Sequence, residues 1–456
     1  MHAKANTNTR RSSTDENAMF KNAAIIGVGQ SAYTRHPKEG QTAHTFMRDA
    51  AVAALQDAGL SAADVNGMAA ASFSLAPDTA VDFAWRMGLS LRWLMQDTNG
   101  GSSAMNMLGH ALRGVEIGAA DVILVVGGDA TGLAGYAKVA TNFNTATRDH
   151  LAPIGHGGPN GVYALVTSRQ MKKYGLEKSD YGHVSVSQRT WAAGNPYAVY
   201  RAPMTMDEYL AAPLVADPLS RYDCVPVVAG AQALVIANPD RAPKGRPGVR
   251  VRAIRHSFNY DNQEGDGLQT GISTFAGELW KQAGVAPDDV DLASAYDDYP
   301  TMVLAQLNDL GLIPGNDIAR FCRTELKDRT FPVNTWGGML SAGQPGGPAG
   351  GLNGITEAVL QLQHRAGERE GGIALVVEAV ALGEDLRFEI PGGDLVVGVE
   401  RDARDVHRSR RLGVPCSPFM THALHANRSA DGFRKHCRIH TRVARVVSAV
   451  GSRPGH

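Results

Sequence analysis

The feature of this sequence that most constrains its fold is an internal repeat. The passage at residues 54–66 recurs at residues 279–291, where the Ala-Gly pair, the Asp-Val pair and the apolar positions match. A second match follows in the same order: a helical pattern leads into an apolar run at residues 102–126 and again at residues 351–377. Two matches in one order indicate a duplication. We therefore expect two similar α/β halves, each a sheet flanked by helices, that pack face to face.

Individual elements can be placed within the first half. Residues 23–29 form a short apolar run that ends in glycines, which favours a buried parallel strand. Residues 42–58 have apolar side chains at helical spacing, and Gly59 stands where a helix commonly ends. Residues 163–174 and 179–193 also predict helices. They belong to a segment around residues 150–220 that interrupts the pattern, and we expect it to form a lid over the mouth of the first half.

Size and composition exclude several classes of protein. The 456 residues suffice for one large two-part body, and Lys plus Arg equal Asp plus Glu at 45 each, so overall charge favours neither nucleic acid nor an anionic membrane. No apolar run of about eighteen residues predicts a membrane span. The four cysteines are irregularly spaced and form no C-x-x-C pair, which indicates a reducing compartment, the cytoplasm, without a disulfide framework or zinc site.

We divide the chain into four parts. Residues 1–20 are polar and lack the apolar centre of a signal peptide, so we expect a disordered lead-in. Residues 21–245 and 246–403 are the two halves. Residues 404–456 hold 11 Lys/Arg against 2 Asp/Glu and lack strand–helix alternation, which predicts a basic, poorly ordered tail. A nucleic-acid-binding tail is the alternative, but no interleaved aromatic residues or recognisable module support it.

A glycine-rich run in the second half carries a family resemblance. Residues 334–347 read Asn-Thr-Trp-Gly-Gly-Met-Leu-Ser-Ala-Gly-Gln-Pro-Gly-Gly. This run resembles the thiolase-family pattern Asn-x-x-Gly-Gly-x-x-x-x-Gly-His-Pro-x-Gly, with Gln344 in the place of the family's catalytic histidine. A glutamine side chain donates and accepts hydrogen bonds, but it cannot shuttle a proton near neutral pH. Gly338 and Gly343 of the same run become candidates for substrate binding.

The resemblance covers roughly residues 23–399. Within the family, the chain is most similar to the branch that includes the thiolase part of sterol-carrier-protein-x and bacterial lipid-transfer thiolase-like proteins. It implies an α/β thiolase fold, in which two duplicated βαβαβαββ halves form a five-layer αβαβα sandwich. The internal repeat supports this fold independently.

The resemblance also places the family's nucleophile. In thiolases a catalytic cysteine lies on the loop before a central helix, in a pattern like Cys-x-x-Gly-x-x-Ala, and Thr98 falls at that position here. A threonine hydroxyl is a far weaker nucleophile than a thiolate unless a strong base adjoins it. The following Asn99, Gly100 and Gly101 begin a helix whose backbone N–H groups would stabilise a thioester oxygen or enolate. Alternatively, they form only a tight turn into a core helix.

A third family position lies in residues 294–300. Related proteins commonly read His-Asp-Cys-Phe here, at the end of a strand, and Tyr296 takes the place of the histidine. A phenol acts readily as an acid or hydrogen-bond donor, but as a base it needs charge-stabilising partners. Tyr296 is therefore either catalytic or an ordinary packed strand-end residue. Asp298 would share its face if the strand extends that far, whereas Asp297 and Tyr299 would point away.

These substitutions lead to three hypotheses about function. Steroid side-chain aldolases resemble this chain in lacking the cysteine and in carrying the strand-end tyrosine. They cleave β-hydroxyacyl-CoA esters by a retro-aldol reaction together with a small OB-fold/zinc-ribbon partner protein, although they typically have a second tyrosine where Gln344 stands. The main hypothesis is such an aldol enzyme, in which Tyr296 handles the β-hydroxyl proton and the loop from Thr98 to Gly101, with Gln344, stabilises the enolate. The alternatives are acyl transfer without a covalent cysteine and a non-catalytic acyl-CoA-binding scaffold.

The remaining expectations concern ligands and partners. His156 lies in a glycine-rich loop and either lines the acyl pocket or is incidental. Gly27-Val28-Gly29 does not complete a dinucleotide fingerprint, which argues against NAD binding. We expect no cofactor and no metal, and the resemblance implies a CoA thioester as substrate. The resemblance further implies at least a homodimer, because thiolase halves expose a sheet edge that family members cover by dimerisation.

Overall fold

The computed structural model describes residues 19–75, 78–130, 147–155, 158–258, 260–261, 265–369, 376–379, 384–385 and 394–401. Three predictions fall outside the described residues: the lead-in up to residue 18, His156 and the basic tail from residue 404 onward. Among the described residues, no helix combines the length and apolar character needed to cross a bilayer.

Strands and helices alternate along most of the chain. The strands are β1 (Ala24–Gln30), β2 (Gly67–Ala71), β3 (Trp93–Asp97), β4 (Val122–Asp129), β5 (Leu214–Ala216), β6 (Leu219–Ser220), β7 (Gly230–Ala237), β8 (Arg250–Phe258), β9 (Leu292–Ala295), β10 (Val376–Ala379), β11 (Glu384–Asp385) and β12 (Asp394–Arg401). The helices are α1 (Ala43–Asp57), α2 (Thr79–Arg86), α3 (Ser103–Glu116), α4 (Gly158–Tyr174), α5 (Lys178–Ala192), α6 (Met206–Leu210), α7 (Ala276–Ala283), α8 (Pro300–Asp309), α9 (Ile318–Phe321), α10 (Gly338–Ala342), α11 (Gly347–Gly350) and α12 (Leu352–Leu362).

The first half is built on a five-stranded mixed sheet with the order β1-β7-β4-β2-β3. Strands β4, β2 and β3 run parallel, and β7 is antiparallel to both β1 and β4. The prediction that residues 23–29 form a buried strand is confirmed, but the parallel direction is wrong. An apolar run reports burial on both faces and carries no information about the direction of the neighbouring strand, which here is β7.

The second half pairs β9 with β10 and β8 with β12 in parallel, while β11 is antiparallel to β12. The predicted repeat is visible in the order of elements. Helix α1, a 3₁₀ turn and β2 in the first half correspond to α7, a 3₁₀ turn and β9 in the second. Helices α3 and α12 likewise each follow a glycine-rich turn. The predicted strand at residues 373–377 enters the described residues only at its end, in β10.

Three apolar clusters define five layers. Helices α1 and α2 pack on the outer face of the first sheet, against Leu124 and Val126 of β4. The alternate residues Ile123 and Val125 face α3 and α12, which also contact the second sheet. Helices α7 and α8 cover the opposite face of the second sheet, at residues such as Ala293. Alternate strand residues serve different layers because side chains alternate across a pleated strand, and the result is the expected αβαβα sandwich.

The segment between the halves contains the two predicted helices, as α4 and α5, followed by the β5–β6 hairpin. Its loop binds the glycine-rich run: Asn195 Nδ2 donates to the Trp336 carbonyl oxygen over 2.8 Å, and Tyr200 N donates to the Ser341 carbonyl oxygen over 3.0 Å. The sequence analysis assigned no strand to β7, although this strand lies between β1 and β4 in the sheet.

A buried ion pair ties α12 to the glycine-rich run. Arg369 Nη2 donates to Glu357 Oε2 over 2.9 Å, and Thr335 Oγ1 donates to Glu357 Oε1 over 2.9 Å. Glu357 and Arg369 are 2% and 8% exposed. Removing one partner of such a pair leaves an uncompensated buried charge.

We expect Glu357→Ala to lower the free energy of unfolding by about 3–5 kcal/mol, because Arg369 then remains buried without its carboxylate. Urea unfolding followed by circular dichroism measures the change. The matched control is Glu278→Ala on α7, whose ion pair with Arg255 is exposed to water and should leave the unfolding midpoint unchanged. Equal effects of the two substitutions would contradict this assignment.

Candidate active site

Tyr296 and Gln344, two residues singled out by the sequence, are in direct contact. Gln344 Nε2 donates to Tyr296 Oη over 2.8 Å and to Asp298 Oδ1 over 2.6 Å. Tyr296 is 4% exposed and Gln344 is 5% exposed. The backbone of Gln344 is itself fixed, since its N–H donates to the Pro226 carbonyl oxygen and its carbonyl oxygen accepts from Val228 N. The amide side chain is therefore held against the phenol.

Asn334, the first residue of the glycine-rich run, positions the end of β9. Asn334 Oδ1 accepts from Ala295 N over 2.7 Å, and Asn334 Nδ2 donates to the Ala295 carbonyl oxygen over 2.9 Å. Gln306 Nε2, on α8, donates to the Tyr296 carbonyl oxygen over 2.9 Å. Tyr296 directly follows β9, so these contacts fix its backbone from two sides.

Tyr296 packs against the start of the central helix α3. A Cβ added at Gly101 would lie 2.5–2.6 Å from Cζ, Cε2 and Oη of Tyr296, closer than real Cβ contacts allow. A Cβ added at Gly350, on α11, would lie 3.3 Å from the same ring. The phenol thus occupies space that only a glycine at position 101 leaves open. The structure brings together Tyr296, Gln344 and Gly101, three of the candidate site residues.

The bend after β9 contains two carboxyl groups, of which Asp297 is buried and Asp298 is half-buried. Asp297 accepts from Met339 N over 2.9 Å and from Leu340 N over 3.1 Å, at the start of α10. Burial raises the pKa of Asp297 to about 7, although these backbone N–H groups oppose the shift. Gly338 is required beside it, because a Cβ there would lie 2.2 Å from Asp297 Oδ2. Gly338 therefore contacts Asp297 and has no described contact with Tyr296.

Asp298 is hydrogen-bonded to Tyr296, although β9 does not extend as far as residue 298. Strand β9 stops at Ala295, and the following bend turns the Asp298 side chain toward Tyr296 and Gln344. Burial and the negative charge of Asp297 raise the pKa of Asp298 to about 8, and its hydrogen bonds with Tyr296 and Gln344 act in the opposite direction. An acidic residue two positions after a strand-end tyrosine was the available sequence signal.

Thr98 is not brought to this cluster. Its side chain is exposed, and the loop around it is organised by Asp97. Asp97 Oδ1 accepts from Asn99 N over 2.7 Å and from Ser103 Oγ over 2.6 Å, and Asn99 Nδ2 donates to Asp97 Oδ2 over 3.0 Å. Gly100 has a φ of +72°, which suits glycine in this tight turn. The described geometry gives Thr98 no base and no contact with Tyr296.

No described thiol can replace the missing nucleophile. Among the described residues the free cysteines are Cys224 and Cys322, the first half-buried and the second buried. Burial raises the pKa of Cys224 to about 12 and also raises the pKa of Cys322. Both groups are therefore neutral thiols near pH 7, and the thiolate is the nucleophilic form. Within the same part of the chain, no group of three or more His, Cys, Asp or Glu residues could hold a metal ion.

A further buried carboxyl group, that of Asp129, was not among the predicted site residues. Asp129 ends β4, is fully buried, and accepts from the hydroxyl groups of Ser72 and Ser74. Burial raises its pKa to about 6. A Cβ added at Gly346 would lie 2.0 Å from Asp129 Oδ2, so this carboxyl group supports the turn after Gln344. Its sequence signal was an acidic residue at the carboxyl end of a buried apolar run.

Comparison with known proteins agrees with this architecture. Residues 255–383 match the family described as thiolase C-terminal domain-like. The chain is 29% identical to the 17-hydroxy-3-oxo-4-pregnene-20-carboxyl-CoA lyase of Mycobacterium tuberculosis, with 82% of this chain and 99% of the relative aligned. It is 28% identical to the steroid side-chain-cleaving aldolase of Thermomonospora curvata, over 83% of this chain and 98% of the relative.

A solved structure, the Ltp2-ChsH2(DUF35) aldolase, has the same fold. It superposes with a TM-score of 0.67 at 25% identity, covering 84% of this chain and 99% of that chain. The resemblance carried by the glycine-rich run, the strand-end tyrosine and the missing cysteine is thereby confirmed. The chain thus has the thiolase fold, matches the thiolase C-terminal domain-like family over residues 255–383, and is similar to steroid side-chain aldolases over most of its length.

Proposed function

We propose that this protein cleaves, and in reverse forms, a carbon–carbon bond of a β-hydroxyacyl-CoA by aldol chemistry, without a cysteine nucleophile. One observation carries the proposal: the buried Tyr296 phenol is held by Gln344 against Gly101, where the central helix begins. The position that holds sulfur in thiolases is the exposed Thr98. The names of the lyase and the aldolase relatives support the same chemistry.

The reaction follows from these positions. Tyr296 Oη takes the proton of the β-hydroxyl group as the phenol releases its own proton, the Cα–Cβ bond breaks, and a ketone or aldehyde leaves. The electron pair of that bond becomes the thioester enolate, which is stabilised by the N–H groups of Gly100 and Gly101 in the 3₁₀ turn that leads into α3. The proton that the phenol released then reaches Cα and completes the acyl-CoA product. The side-chain amide of Gln344 donates hydrogen bonds to Tyr296 and Asp298, so the role of Gln344 is to hold the phenol in place.

We also propose a homodimer in the cytoplasm. Strand β3 is the last strand of its sheet and pairs only with β2 among the described residues, so its outer edge has unpaired backbone groups. Leu94 on this strand is 44% exposed. The solved aldolase is named with a second component, ChsH2(DUF35), and we propose a small OB-fold/zinc-ribbon partner protein here as well.

We expect Tyr296→Phe to lower kcat/KM by about 10²–10⁴-fold, because the phenyl ring cannot accept the hydroxyl proton. The substrates are 17-hydroxy-3-oxo-4-pregnene-20-carboxyl-CoA, 3-hydroxy-3-phenylpropanoyl-CoA and 3-hydroxybutanoyl-CoA, and chromatography quantifies the ketone or aldehyde and the acyl-CoA. The control is Tyr197→Phe at an exposed tyrosine. Full turnover by Tyr296→Phe would refute the role of the phenol. A new acyl-CoA made from a β-ketoacyl-CoA would instead establish acyl transfer.

Gly101→Ala should reduce kcat at least tenfold and destabilise the fold by about 1–3 kcal/mol, because its methyl group overlaps the Tyr296 ring. Steady-state kinetics and urea unfolding measure the two effects. Gly277→Ala is the matched control, since nothing lies within 4 Å of a Cβ built there in helix α7. That substitution should leave kcat unchanged. An active, fully stable Gly101→Ala variant would show that the ring does not need this space.

Light scattering after size-exclusion chromatography should give the mass of a dimer. Leu94→Lys on β3 should shift the protein to the monomer, because a charged side chain on an edge strand opposes strand pairing. Val81→Lys, at a similarly exposed position on α2, is the control and should remain dimeric. A wild-type protein that elutes as a monomer would contradict the dimer.

A further inference from the structure

The carboxyl group of Asp298 has no role in the reaction as described so far, although it lies half-buried beside the reacting phenol. One amide nitrogen, Gln344 Nε2, lies 2.8 Å from Tyr296 Oη and 2.6 Å from Asp298 Oδ1. Tyr296 and Asp298 are also hydrogen-bonded to each other. The three side chains therefore form a closed triangle of polar contacts.

The direction of the hydrogen bonds within this triangle is determined by chemistry. Gln344 Nε2 can only donate, so both Tyr296 Oη and Asp298 Oδ1 accept from it. An ionised carboxylate is an acceptor only, and the phenol O–H therefore donates to Asp298. Within the triangle Asp298 is the group that can gain a proton near neutral pH, because an amide does not titrate there.

We propose that Asp298 is the proton acceptor behind Tyr296, so that the β-hydroxyl proton moves through the phenol to this carboxylate. The inference rests on the proposed aldol function. As the substrate O–H bond breaks, its proton binds Tyr296 Oη while the original phenol proton passes to Asp298. The Cα–Cβ bond electrons form the enolate. The protonated Asp298 then returns its proton through Tyr296 to the enolate Cα, so no net proton is gained or lost.

The surroundings of Asp298 suit an acceptor that takes and returns a proton. Among the described residues, the titratable groups that face it are Tyr296 at the end of β9, Asp297 on the same bend and Cys224 from the segment between the halves. None of these is a cation. Burial and the charge of Asp297 raise the pKa of Asp298 to about 8, close to the pH at which general acids and bases work best. In this relay Asp298 acts on the substrate through Tyr296, so it is a positioning residue.

The relay through Asp298 predicts the direction in which kcat changes with pH. Asp298 must be ionised to accept the proton, and its pKa is raised, so kcat should rise with pH and level off above about 8. Asp298→Asn keeps the size and the polar contacts but cannot take the proton. We expect it to lower kcat about 10²-fold, to leave KM within about threefold, and to remove the limb centred near pH 8.

The experiment compares the full-length wild type, Asp298→Asn, Tyr296→Phe and the control Asp309→Asn on the three β-hydroxyacyl-CoA substrates named above. Asp309 is another carboxyl group whose burial raises its pKa, and its described hydrogen bonds are with Thr270, away from the site. Its substitution should leave the pH profile unchanged. Infrared spectra over the same pH range should show a protonated carboxyl band that disappears near pH 8 and is missing in Asp298→Asn.

The outcomes separate this inference from the function on which it rests. Loss of kcat and of the pH limb in Asp298→Asn, with an unaffected control, supports the relay. An Asp298→Asn enzyme that keeps kcat and its pH limb, while Tyr296→Phe is inactive, overturns the relay and leaves the aldol assignment standing. Cleavage of none of the three substrates by the wild type would count against both.

Discussion

A contact between the two halves of the molecule determines the arrangement of the site. The Tyr296 ring, at the end of a strand in the second half, fills the space that Gly101 leaves open at the start of the central helix of the first half. Burial of α3 and α12 between the sheets brings these backbones together. The hydrogen bonds of Asn334 and Gln344 then fix the direction of the phenol. Without this close approach of the two backbones, the Tyr296 phenol would be separated from the start of the central helix.

Much of the fold could be predicted from sequence because its elements repeat. The two copies of a helix, a short turn and a strand predicted two halves, and the glycine-rich run predicted the superfamily. The direction of β1 and the existence of β7 could not be predicted in the same way. Strand pairing depends on residues more than a hundred positions apart, such as Ile25 with Ile236, and residues 230–237 have no local signal that places them between β1 and β4.

The site was partly predictable for a related reason. Tyr296 and Gln344 stand at positions that the family resemblance singled out, one at a strand end and the other in the glycine-rich run. Asp298 was expected beside Tyr296 only if the strand continued to residue 298, whereas a bend after Ala295 turns it toward the phenol. Thr98 aligned with a catalytic position but is exposed. Alignment gives the place of a residue in the chain, whereas the hydrogen bonds of Asp97 decide the local path of the loop.

The exposure of Thr98 bears on what a single substitution can add to the site. The sulfur atom of a cysteine introduced there would be exposed to solvent, and the described hydrogen bonds place neither a base nor Tyr296 beside it. Acyl transfer through that sulfur would therefore require a different path of the loop around Asp97, which the hydrogen bonds from Asn99 and Ser103 hold in place.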